Sequence, residues 1–242
     1  KLYKNSILNI ELGSNHSYEK NYEYIKNYKV NYCVHNYFPI PKKNIVINIA
    51  SQNKTIREKS LIHIKNSITF SKKINARLYT FHPGFLTDPD GANISSNNYD
   101  FLWNNKKLLK SSYNKSWTLM IASIKKIIKH SKKENIKIAI ETEGSISSKN
   151  HLLMQRPIEY KRFFKIFKKK DIGINLNIGH LNLASIAFKF NKIKFIKHFS
   201  HRIVAMDLSH NYGKNDDHLP IKKNSWYWKT IKSKKFQGVP KI

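Results

Sequence analysis

IleAlaIleGluThrGlu (138–143) is an apolar run that stops on a carboxylate. A charge at the end of a buried run is costly to leave unpaired, so Glu141 calls for a metal or a basic partner. Working outward, the same pattern recurs. LeuTyrThrPheHisProGly (78–84) carries His82, and ValHisAsnTyrPhePro (34–39) carries His35. GlyIleAsnLeuAsnIleGlyHis (173–180) carries Asn177 and His180, MetAspLeuSerHisAsn (206–211) carries Asp207 and His210, and AspAspHis (216–218) closes the series. One such run means little. Five in order predict that the C-terminal ends of several parallel strands converge on one place. His, Glu, Asp and Asn are the donors that a divalent metal takes.

The stretches between the motifs read as alternating strands and helices. Strands are expected at Ile7–Glu11, Val30–His35, Arg77–His82, Ile136–Glu141, Ile172–Asn177 and Ile203–Leu208, with Val239–Ile242 opening a seventh. Helices are expected at Asn53–Lys73 with Thr55 as cap, Ser116–Lys132, Pro157–Phe167 with Pro at its start, Leu183–Phe190 and Ser225–Ile231. Residues 88–100, rich in Gly, Asn, Asp and Ser, read as a loop. This alternation implies a parallel sheet. A barrel of this kind places its active site at the C-terminal ends of the strands and takes about 250 residues. The expected fold is therefore α/β, a (β/α)8 TIM barrel truncated near the seventh strand. Residues 1–242 form one domain on this reading, incomplete at its C-terminus. No second domain or internal repeat is evident.

Composition narrows the function. The chain has 45 basic and 15 acidic residues, a formal charge of +30. Only Arg57, Arg77, Arg156, Arg162 and Arg202 are arginine, and arginine forks are what phosphate and base recognition favour. Abundant Lys, Asn, Ile and Tyr point to compositional bias on a solvated surface, so nucleic acid is the weaker partner expectation. The charge still attracts anionic substrates such as sugar phosphates. No apolar run approaches the roughly 18–20 residues of a membrane span. Cys33 is the only cysteine, which sets a reducing, cytoplasmic location as the expectation. A homo-oligomer is compatible with the sequence.

His82 and His35 are candidate ligands, His82 also a candidate base. Glu141 is a candidate ligand, and Glu143, on the same strand parity but further out, a candidate substrate contact. Asn177 and His180 lie on the turn leaving the fifth expected strand. Asp207, His210, Asp216 and His218 form the densest cluster, with Asp216 and His218 on one side of an extended loop. His16, His63, His130, His198 and His201 lack such context. Tyr37, Phe38, Phe81, Phe85, Trp226 and Trp228 are candidates to wall a sugar pocket. Gly84, Gly144, Gly179 and Gly213 fall close to motif polar groups.

Together these motifs resemble the xylose isomerase-like TIM-barrel superfamily, which holds sugar and sugar-phosphate isomerases and epimerases and the endonuclease IV-type apurinic endonucleases. The likeness runs from about residue 7 to the end. It is carried by His35 with AsnIleAlaSer (48–51), PheHisProGly (81–84), IleGluThr (140–142), AsnIleGlyHis (177–180), AspLeuSerHisAsnTyrGly (207–213) and AspAspHis (216–218). The nuclease branch implies a zinc cluster at His35, His82, Glu141, Asn177, His180, Asp207, Asp216 and His218. The isomerase and epimerase branch implies one Mn, Mg, Co or Zn ion at Glu141, Asn177 and Asp207 plus a final strand-end Glu. The family has Asp in place of Asn177 and His in place of Asp207, for which His210 is the substitute. Its final Glu would fall just after Ile242. The resemblance implies a metal-dependent sugar or sugar-phosphate isomerase or epimerase working through an enediolate, with Glu141, His180 and His82 in the catalytic roles. The alternatives are a zinc-dependent apurinic-site phosphodiesterase and a degenerate barrel that binds sugar without turning it over.

Overall fold

The computed structural model describes residues 8–13, 17–43, 45–89, 91–92, 101–102, 110–144 and 151–242. Six parallel strands form one curved sheet: β1 (Asn9–Leu12), β2 (Asn31–His35), β3 (Leu78–Phe81), β6 (Lys137–Glu141), β7 (Gly173–Asn177) and β8 (Ile203–Asp207), hydrogen-bonded in that order. The short β4 (Gly91–Ala92) and β5 (Phe101–Leu102) pair antiparallel apart from it. Helices α1 (Lys54–Lys73), α2 (Lys110–Glu134), α3 (Pro157–Ile166), α4 (Ile178–Ala187), α5 (Lys192–Phe199) and α6 (Trp228–Ile231) connect or follow the strands. This is the architecture of a TIM-type barrel. Beyond β8, Lys241 makes a parallel bridge to Met206, so the residues expected to open a seventh strand do pair with the sixth. Among the described residues no helix is long and apolar enough to cross a membrane.

Strand alternation explains why the sheet has two unlike faces. Tyr32, Val34, Tyr79, Phe81, Ile138, Ile140, Ile174, Leu176 and Met206 are buried and belong to one large apolar cluster with the helices. Their neighbours of opposite parity are, Leu78 apart, small or polar. Cys33, Leu78, Ala139 and Ala205 form a separate small cluster, and Glu11, His35, Thr80, Glu141, Asn175, Asn177 and Asp207 stand in register with that same face. The apolar face stabilises the fold, leaving the polar, concave face for chemistry.

Several element boundaries differ from the sequence expectation. Asn53, not Thr55, caps α1: its side-chain oxygen accepts from the backbone N–H of Thr55 at 2.9 Å and of Ile56 at 3.3 Å. The expected helix Leu183–Phe190 starts five residues earlier, directly at the end of β7, and α5 follows it unforeseen. The expected helix Ser225–Ile231 is reduced to the single turn of α6. Phe38, Phe81 and Phe85 are buried. Ile7, His16 and most of the expected loop 88–100 lie outside the described residues.

Candidate metal centre

The C-terminal ends of β2, β3 and β6 bring His35, His82 and Glu141 together. One donor atom from each lies within 4.8 Å of the others. Glu141 Oε2 is 3.5 Å from His35 Nε2 and 3.7 Å from His82 Nε2. This oxygen is buried and has no hydrogen-bond partner, a state that costs free energy unless something fills it. Both rings are held from behind. His35 Nδ1 lies 2.7 Å from Thr80 Oγ1, and His82 Nδ1 donates to Glu143 Oε1 at 2.7 Å. A histidine gripped at Nδ1 turns Nε2 inward, which is how metal-binding imidazoles are oriented. The two imidazoles, one carboxylate and orphaned oxygen therefore fit a divalent cation with positions left open for solvent or substrate.

A second trio stands beside the first. His180 Nε2 is 3.0 Å and His218 Nε2 3.1 Å from Asp216 Oδ2. His180 Nδ1 donates to the carbonyl of Thr142 at 2.9 Å, and Asp216 Oδ1 is buried without a partner. Asp216 and His218 meet as their spacing suggests. The loop is not extended there, however: His218 adopts φ +46°, and that kink folds its ring back onto Asp216. Gly144 makes the join between trios possible, since a Cβ on it would collide with the backbone of His180.

Asn177 reaches the site but is already committed. Its Oδ1 accepts from the backbone N–H of His180 at 3.0 Å, capping α4, and its Nδ2 donates to Glu141 Oε1 at 2.9 Å. Asp207 belongs to neither trio and accepts from Asn175 Nδ2 at 2.7 Å. His210, the expected substitute ligand, belongs to neither trio; its Nδ1 is 3.2 Å from the Tyr227 hydroxyl. AsnIleAlaSer (48–51) is a brace: Asn48 and Ser51 both donate to Asp88, at 2.8 and 2.7 Å.

The electrostatics follow from having no lysine or arginine partner. Every described ion pair of Glu141, Glu143 and Asp216 is with histidine. Burial would lower the proton affinity of His82, but Glu141 and Glu143 outweigh it and push its pKa up to about 9. At His180 burial is likewise outweighed, by Asp216 and Glu141, which hold it well above its ordinary value. For His35 desolvation wins over Glu141, and its pKa falls to about 4. Burial acts to raise Glu141, yet His82, His35 and His180 hold it well below the usual carboxylate range. Burial and the nearby charges of Asp207 and Glu141 push Glu11 up to about 9, while burial and Glu141 push Asp207 up to about 7. Glu11, Thr80 and Asn175 escaped the reading of residues. Glu11 carried a signal, since it too ends an expected strand.

The chain is 21% identical over 211 residues to the uncharacterized protein MJ1311 of Methanocaldococcus jannaschii, covering 86% of this chain and 62% of that relative's length. A D-tagatose 3-epimerase-like protein of known structure superposes with TM-score 0.71 at 20% identity, covering 97% of this chain and 81% of its own. L-ribulose 3-epimerase gives 0.59 at 11% identity, covering 84% and 59%. The TTHB071 protein from Thermus thermophilus, soaked with ZnCl2, gives 0.61 at 10% identity, covering 96% and 80%. At these identities the likeness establishes the fold. The family model described as xylose isomerase-like TIM barrel matches residues 14–239, and the chain belongs to that family.

Proposed function

We propose that the chain is a divalent-metal-dependent sugar or sugar-phosphate isomerase or epimerase. The observation that carries this is the orphaned Glu141 Oε2 facing two imidazoles on the concave side of a barrel of this family. His35, His82 and Glu141 would hold the ion, Mn, Mg, Co or Zn. It would supply Lewis-acid polarisation of a carbonyl and its neighbouring hydroxyl. Glu141 serves as ligand rather than proton carrier, because three imidazoles keep it ionised. Glu143, one alternate position further toward the mouth, is the carboxylate we assign to carry the proton between carbons. The His82 N–H steadies it at 2.7 Å. His180 would orient a substrate hydroxyl. The epimerase names among the structural neighbours accord with this reading.

The test is incubation of ketoses and their phosphates in D2O with metal-loaded protein, followed by proton NMR. Loss of the signal at the carbon beside the carbonyl, in wild type but not in Glu143→Gln at saturating metal, is the expected result. No exchange with any ketose under any of the four metals would reject the assignment.

The second trio favours one other reading, a phosphodiesterase with two or more zinc ions, since paired metals suit in-line displacement at phosphorus. The arginines speak against it. Arg156 lies over the Tyr113 and Phe188 rings, Arg162 over Trp117, Arg202 over Phe164, and Arg57 donates to the Ser51 carbonyl. Cleavage of an abasic-site duplex with steep salt dependence would decide for this reading.

A further inference from the structure

Below the two trios lies a polar group that neither of them uses. Glu11 on β1, Asn175 on β7 and Asp207 at the end of β8 each keep one oxygen buried and without a hydrogen-bond partner: Glu11 Oε2, Asn175 Oδ1 and Asp207 Oδ1. Asn175 is wholly buried. Its Nδ2 donates to Asp207 Oδ2 at 2.7 Å. Its orphaned Oδ1 leaves the same carbon as that donor and so lies beside the contact. Glu11 and Asp207 are close enough to repel one another. No described ion pair brings a lysine, arginine or histidine to either.

The surroundings leave room. Glu11 stands in register with Cys33, and Asn175 with Ala205. Cys33 and Ala205, both short side chains, belong with Leu78 and Ala139 to the small apolar cluster of this face. Three partnerless buried oxygens, two of them on carboxyl groups, stand beside this layer, and among the described residues no basic side chain pairs with either carboxyl; a cation would complete the set. Protons can neutralise the two carboxyls in the metal-free state, but once both are ionised they are acceptors only, and a cation is what satisfies them.

We infer that Glu11, Asn175 and Asp207 bind a hard divalent cation, magnesium or calcium, at a site distinct from the His35–His82–Glu141 centre. The donors decide the class of ion. An all-oxygen set of two carboxylates and a carboxamide suits magnesium or calcium, whereas the two trios, each with two imidazoles, suit zinc or cobalt. The ion would tie β1 to β7 and β8, strands at opposite ends of the hydrogen-bonded order. It would thus lock the curvature of the sheet beneath the catalytic mouth. The inference is independent of the reaction assigned to that mouth.

The test is thermal unfolding of chelator-stripped protein with magnesium or calcium chloride, beside cobalt binding followed by visible absorption. In the wild type, magnesium or calcium raises the melting temperature in a concentration-dependent way. Glu11→Gln removes a like-charge contact, so it folds and melts at or above the wild-type temperature without metal. It loses the magnesium or calcium response, while its cobalt spectrum stays as in the wild type. Asn175→Asp adds a charge and tightens hard-cation binding by about ten-fold. Overturning results would be a wild type indifferent to both ions, a Glu11→Gln response equal to wild type, or a single ion whose binding Glu11→Gln and Glu141→Gln abolish alike.

Discussion

Asn177 sits at the junction of two demands that an aspartate would meet differently. Its oxygen caps α4 and its amide donates to Glu141. Asn177→Asp would turn that hydrogen bond into a carboxylate pair. The metal-free variant should lose about 1–3 kcal/mol, roughly 2–12 °C in melting temperature for a chain of this size, and regain it with metal, because two carboxylates can share an ion. Calorimetry with and without cobalt would check this. Glu143 is the other informative residue. Glu143→Gln keeps the shape but weakens the grip on His82, and a loss of this kind of support costs about 10–100-fold in metal affinity. A cobalt titration showing unchanged affinity would contradict the geometry. The strand-end donors His35, His82 and Glu141 were legible because each follows an apolar run. Asn177 was legible as a site residue but not as a cap, since cap and ligand use the same oxygen. Glu11 was passed over although it ends an expected strand, and Asn175 was not singled out because its partnerless oxygen emerges only once β7 lies beside β8.

The six parallel strands were placed within one or two residues because their alternation of large apolar and small or polar side chains matches two unlike faces. The helices were harder. AsnIleGlyHis (177–180) looked like a turn because of Gly179, yet Ile178 to Ala187 is helical from the strand end. α5, LysIleLysPheIleLysHisPhe (192–199), was missed because its Lys–Ile–Lys–Phe opening mimics strand alternation; Asn191, whose side chain accepts from Lys194 N–H at 2.9 Å, is its start signal. Two substitutions test the elements. Asn53→Ala removes the cap of α1 and should cost about 1 kcal/mol, measurable by urea unfolding, with metal binding unaltered. Gly144→Ala forces the strand-end loop against the His180 backbone and should cost about 1–3 kcal/mol. It should also loosen the His180–Asp216–His218 trio more than the His35–His82–Glu141 one.

Across the whole molecule, charge is segregated. Of 15 acidic residues in a chain of formal charge +30, Glu11, Glu141, Glu143, Asp207 and Asp216 gather on the concave face or at its mouth. A surface this basic attracts anionic substrates, while the acids inside demand cations. The consequence is a distinct pH response. His82, raised from 6.5 to about 9, contributes stability below pH 6.5 that is lost as pH climbs through 9. Glu11, raised from 4.5 to about 9, and Asp207, raised from 3.8 to about 7, act in the same direction, because ionising them burdens the folded state. His35, lowered to about 4, acts oppositely, and only below pH 6.5. Metal-free protein should therefore lose melting temperature between about pH 6.5 and 9, and added divalent metal should cancel the decline by replacing protons. A flat profile without metal would count against the arrangement of charges.

The central claim is that His35, His82 and Glu141 hold a divalent ion, and cobalt substitution tests it most directly. Stripped protein titrated with cobalt should develop visible ligand-field bands, and Glu141→Gln and His35→Ala should each lose the component that this trio supplies. A protein that stays colourless, or bands that survive both substitutions unchanged, would contradict it.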